Sequence, residues 1–106
     1  MATFNDIKFN KTSIYNGQIS LDNPNLGTFK LIVSYGDSVN GAGPSRNQYE
    51  VSLMNNLNKF IQLSDYDNNV GYVSMEEINK FMKLIKSTNN MEEIKNVFRD
   101  NFSDDD

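Results

Sequence analysis

The spacing of apolar residues changes near Ser74. Before it they recur at every second position: Phe29, Leu31, Val33 and Tyr35 in one run, Tyr49, Val51 and Leu53 in another. Successive side chains of a strand point to opposite faces, so each run predicts a strand with one apolar face. After Ser74 the spacing becomes three and four, as Ile78, Phe81, Met82 and Ile85, then Ile94, Val97, Phe98 and Phe102. That is the stripe of an amphipathic helix. Strands first and helices last predict an α+β domain. The expected form is a meander-like antiparallel sheet of three to five strands, covered on one face by two C-terminal helices.

Local signals divide the chain further. Between the two clear strands lies GDSVNGAGPSRN, residues 36–47, which has three glycines, a proline and no periodicity. It predicts a long loop closing an antiparallel hairpin. Residues 59–63 read as a third strand or a short helix, because five residues are too few for periodicity to decide. Residues 13–21 read as a strand turned at Asn16-Gly17, a strong hairpin signal, and stopped at Asn23-Pro24-Asn25. Ser74 followed by Glu77 predicts a capping box, and Asn90 followed by Glu93 repeats it. The paired glutamates of both MEEI words fall in first turns, where the helix dipole favours them. The predicted core is Phe29, Leu31, Val33, Val51, Leu53, Ile61, Val73, Ile78, Phe81, Met82, Ile85, Ile94, Val97 and Phe98. Tyr35, Tyr49 and Tyr72 are expected on the sheet's core face, with exposed interface anchors as the alternative. Residues 1–102 are expected to form a single domain and 103–106 an acidic, solvated tail.

Composition narrows the chemistry. The 106 residues include no cysteine and no histidine. Disulfides, thiol nucleophiles and the commonest general base are thereby excluded. No P-loop is present, and no pair of carboxylates is set among apolar neighbours, so neither an enzyme nor a cofactor is expected. Fourteen acids against ten bases give a net charge of −4. The bases are scattered and only Arg46 and Arg99 are arginines, whereas phosphate binding needs clustered cations. Direct nucleic-acid binding is not expected. A protein partner with a basic surface is, since opposite potentials speed encounter; the same charge also keeps a small domain soluble. No run of 18 apolar residues predicts a transmembrane helix, and the first residues lack a signal-peptide core. A cytosolic protein, without membrane contact, is expected.

One stretch carries ligand-like chemistry. In DYDNNVGYVSME, Asp65, Asp67, Asn69 and Glu76 fall at positions 1, 3, 5 and 12 of a calcium loop. Position 6, where the bend needs glycine, is Val70, and Gly71 comes one place late. A β-branched residue resists the positive φ required there. The simpler reading needs no metal: a polar turn, a positive φ at Gly71, Val73 inward, and Ser74 capping the helix. A calcium-binding module using residues 65–77 is the alternative, and a virion assembly protein another.

Val33–Gly36 (VSYG), Tyr49–Met54 (YEVSLM), the turn Asn55–Asn58 and the segment Asn69–Met82 follow in this order. Over residues 27–86 the order resembles small, mostly uncharacterised accessory proteins of Gram-positive phages and prophages. The resemblance implies a non-enzymatic protein that binds a host or phage enzyme stoichiometrically. Inhibitors of CRISPR nucleases are similar in bulk: small, acidic and cysteine-poor. Acidic side chains of such proteins can occupy a channel built for phosphates. Here the implied surface is Asp37, Asp65, Asp67 and Glu76, with the 36–47 loop alongside.

Overall fold

The computed structural model describes residues 2–103, with side chains through Arg99. Six strands form one antiparallel sheet: β1 (Asn10–Lys11), β2 (Tyr15–Asn23), β3 (Gly27–Tyr35), β4 (Tyr49–Met54), β5 (Phe60–Ile61) and β6 (Val70–Val73). Two helices follow, α1 (Met75–Ser87) and α2 (Met91–Ser103). The first five strands run as a meander, and β6 returns to pair with β4. The expected α+β arrangement, with its hairpin across residues 36–47, is therefore present, and the sheet has one strand more than the upper expectation.

Register carries the two-residue alternation into the core. Ile19, Leu31, Leu53 and Ile61 lie opposite one another across β2 to β5. Val33, Val51 and Val70 form a second row. These side chains face the helices; all are buried except Ile19, which is half-buried. The opposite face is mostly polar, with Gln18, Ser20, Lys30, Ser34, Glu50 and Ser52 in the intervening positions.

Both helices bury the predicted stripes. Ser74 Oγ accepts from the Glu77 amide at 3.1 Å, and the Glu77 carboxylate accepts from the Ser74 amide at 3.0 Å, closing the capping box. Ile78, Phe81, Met82 and Ile85 are buried. Phe81 meets Phe98 of α2 edge-on, with ring centroids 4.9 Å apart. The start of α2 departs from expectation. Asn90 Oδ1 accepts from the Glu92 amide, but the Glu93 carboxylate accepts from the Thr88 hydroxyl. Thr88 Oγ1 in turn accepts from the Asn90 amide. The threonine that closes α1 has displaced the reciprocal half of the second box. Val97 is half-buried rather than core, and the Phe102 side chain lies outside the described residues. Ser103 is the last residue of α2, not the start of a tail; residues 104–106 lie outside the described residues.

The N-terminal segment, unassigned from sequence, completes the inner layer. Phe4 packs on Tyr49 and Phe9 on Tyr35, with centroids 4.9 and 5.2 Å apart. The Phe4 amide donates to Asn79 Oδ1 of α1 at 2.8 Å. This packing corrects the reading of Asn16-Gly17 as a turn. Both residues sit inside β2. Gly17 is there for closeness: a Cβ on it would lie 2.7 Å from Ile7 Cγ2 and 2.8 Å from the Lys8 carbonyl oxygen. The chain reverses instead at residues 12–14. Phe4, Ile7, Leu21, Tyr49, Leu63 and Val70 thus join the core, and Phe60–Ile61 is the strand within 59–63. Among the described residues no helix is long and apolar enough to cross a membrane.

Asn23 ties the β2–β3 hairpin to the helical layer. It is 4% exposed. Its Oδ1 accepts from the amides of Asn25 and Leu26, and its Nδ2 donates to the carbonyls of Ile85 and Thr88, all at 2.7–2.8 Å. The side chain thus fills both its donor and acceptor capacity, and its partners include carbonyls that the end of α1 would leave unpaired. Replacing Asn23 with Ala is expected to cost about 2–4 kcal/mol in urea unfolding, because buried polar groups on both sides lose their partners. Phe81→Ala should cost about 3–5 kcal/mol by the same measurement; a loss below about 1 kcal/mol would place that ring outside the core.

Candidate functional site

β4 pairs with two short strands along one side. β5 takes its C-terminal end, through Leu53↔Ile61 and Met54↔Phe60. β6 takes its N-terminal end, through Tyr49↔Val73 and Val51↔Val70. Residues 62–69 leave the sheet between them. Leu63 anchors this loop in the core. Ser64 Oγ accepts from the Asp67 amide at 3.0 Å, and Gln62 Nε2 donates to the carbonyls of Ser64 and Asp65. Asp67 Oδ1 accepts from the Asn68 amide at 2.7 Å. The loop is stitched to itself, and Tyr66 projects from it, 98% exposed.

A bulge follows. One residue, Glu50, separates Tyr49 and Val51, whereas Gly71 and Tyr72 separate Val70 and Val73. Two residues against one is the count of a β-bulge, a device that re-aims a side chain. The positive φ, expected at Gly71, is at Tyr72, where φ is +59°. Gly71 serves for space: a Cβ there would collide with the Asn40 side chain. Asn40 O accepts from the Tyr72 amide at 2.7 Å and holds the bulge in place. Left-handed backbone costs an L-residue about 1–2 kcal/mol. Here it turns Tyr72 out of the sheet, 64% exposed, and so corrects its expected place on the core face. Tyr49 is buried and Tyr35 half-buried.

Among the described residues the large exposed hydrophobics are Leu57, Phe60, Tyr66 and Tyr72. All belong to the β5–loop–β6 edge or to the turn that leads into it. Glu50 joins two loops on the outer face, accepting from the Asn40 amide at 3.2 Å and from Asn69 Nδ2 at 3.3 Å.

The four acids singled out from sequence fall in separate settings. Asp65 lies 3.6 Å from Arg99 Nε of α2. Asp67 is held by its own loop. Asp37 is exposed on the 36–47 loop. Glu76, in the first turn of α1, accepts from Asn47 Nδ2 at 2.7 Å, while Asn47 Oδ1 accepts from the Met75 amide at 2.8 Å. Asn47 so pins the 36–47 loop to the start of α1. Its hydrogen bond is the main cause holding the Glu76 carboxyl below its ordinary 4.5, helped by Glu76's own amide. Burial pushes the Tyr49 phenol above 10, and nearby Tyr35 and Glu76 push the same way. Among the described residues no three His, Cys, Asp or Glu side chains are grouped as metal ligands. Glu50 and Tyr66 are the surface residues that sequence reading missed, whereas Tyr72 takes the exposed place that was its alternative. The alternation of β4 marked Glu50 as outward, but nothing local marked the bulge.

No family model, curated protein or solved structure matches the chain.

Two measurements probe this geometry. Tyr72→Gly relieves the left-handed backbone and removes an exposed ring, so its melting midpoint should equal or exceed that of the wild type. A clear drop would show that the ring packs. The second concerns pH. A carboxyl whose folded pKa is depressed lends stability above its unfolded pKa and loses it as pH falls through the lower folded value. Asn47→Ala should therefore move the Glu76 midpoint upward toward 4.5 in an NMR titration. An unmoved midpoint would remove Asn47 as the cause.

Proposed function

We propose that the protein is a non-enzymatic binding protein that engages a partner stoichiometrically through the edge formed by the 62–69 loop and β6. Tyr66 and Tyr72 are its anchors. Asp65 and Asp67 beside them, with Asp37 on the 36–47 loop and Glu76 at the loop–helix junction, supply complementary charge. The observation that carries this reading is Tyr72, held at φ +59° with its ring in solvent. Strain of this kind persists where surrounding structure imposes it, and it clusters at functional sites. Tyrosine is also enriched among residues that carry interface energy. The net charge of −4 favours a partner with a basic surface. A nucleic-acid enzyme of the bacterial cytoplasm, such as a CRISPR nuclease with a phosphate-binding channel, fits that description and the phage-protein resemblance. In that setting the protein blocks the channel and contacts neither nucleic acid nor membrane.

The test is capture from bacterial lysate on the immobilised protein, with mass-spectrometric identification, followed by binding measurements on the purified partner. The expected partner is a basic nucleic-acid enzyme whose association slows as salt rises. Tyr66→Ala with Tyr72→Ala should weaken the complex at least about tenfold, or about 1.4 kcal/mol. Asp65→Asn with Asp67→Asn should slow association and flatten its salt dependence. A complex indifferent to both pairs would move the interface elsewhere.

A further inference from the structure

We infer that a groove between β5 and α2 is a second binding site, opposite in charge to the first, for an extended acidic segment of another protein. The groove encloses about 640 Å³. Residues 59–62 form one wall, and Met91, Lys95 and Arg99 of α2 form the other. Half-buried Leu26 also lines it and adds to its apolar surface. In a chain with a net charge of −4, three of the ten basic residues meet here: Lys59, Lys95 and Arg99. The acid among the lining residues, Glu92, is paired with Lys95 at 3.6 Å. Arg99 is likewise paired with Asp65 at 3.6 Å, and its Nη2 donates to the Ser64 carbonyl at 3.2 Å; among the described residues its Nε is buried without a hydrogen-bond acceptor.

The dimensions select an extended chain. Four residues of a strand span about 13 Å, and the rise from Met91 to Arg99 is about 12 Å, so both walls accommodate roughly four residues. Lys95 and Arg99 are four apart on a helix, about 6 Å along its axis. Carboxylates two apart on an extended peptide are about 6.6–6.8 Å apart. An acid–apolar–acid sequence therefore matches the cations, and its middle side chain meets Phe60, which is 49% exposed. β5 is paired to β4 and ends the strand order on that side, leaving its other edge open to strand addition, a recurring mode of peptide capture.

The experiment is fluorescence anisotropy with a dye-labelled synthetic peptide of alternating Glu and Leu, beside the same peptide with Gln for Glu. The wild-type chain should bind the acidic peptide saturably and at least about tenfold tighter than the neutral one. Lys59→Glu with Lys95→Gln should lose at least about tenfold at an unchanged melting midpoint, and Lys59→Glu alone should lose part of it. Tyr66→Ala with Tyr72→Ala should leave this affinity intact, which separates the groove from the tyrosine edge. The inference is overturned by no saturation up to about 1 mM peptide, or by equal binding of the two peptides. Displacement by N-acetylglutamate at equal concentration, or tighter binding of a labelled short DNA strand, would overturn it as well.

Discussion

The pairing of β4 with two short strands on one side is the constraint from which the rest of this surface follows. A single continuous strand would have closed that side with an even ladder. Instead, β5 covers Leu53 and Met54 and β6 covers Tyr49 and Val51. Each paired position that faces the helices is buried, so the register is fixed by apolar contact at both ends of β4. The chain between the two strands must leave the sheet and return. Its exit is the 62–69 loop, and the mismatch on return is absorbed by the bulge at Gly71 and Tyr72. Loop and bulge are two consequences of one division of the strand.

Hydrogen bonds to asparagine side chains then hold the irregular parts. Asn23 joins the β2–β3 turn to the end of α1. Asn47 joins the 36–47 loop to the start of α1, and Asn79 receives the N-terminal segment. Each supplies a donor, an acceptor or both where backbone groups lack a ladder partner. These asparagines thus have a structural use in the chain. The acids behave similarly. Asp67 and Glu76 are engaged with loop or helix groups, which orders the surface on which they are displayed.

The surface has two signs of charge on neighbouring elements. The 62–69 loop presents Asp65 and Asp67 around an exposed tyrosine, and the groove beside α2 presents Lys59, Lys95 and Arg99 around Phe60. Arg99 touches both, through the Ser64 carbonyl and the Asp65 carboxylate.

Much of the fold was legible from short-range pattern. Alternation at Phe29–Tyr35 and Tyr49–Leu53, the capping box at Ser74 and Glu77, and the stripe Ile78–Ile85 all report local periodicity, which each residue's neighbours suffice to set. Asn16-Gly17 misled because glycine permits either a turn or a close approach, and only the distant Ile7 and Lys8 decide which. Gly71 misled for the same reason, with Asn40 as the distant partner. Of the candidate surface, the acids were visible as composition, whereas Tyr66 and Tyr72 were not distinguishable from core tyrosines. Strands before helices, the apolar face of each element and the start of α1 follow from the residue pattern alone, because they depend on contacts a few residues apart. The sharing of β4, the outward turn of Tyr72 and the gathering of Lys59, Lys95 and Arg99 beside β5 were set by folding. Those outcomes depend on contacts between segments tens of residues apart.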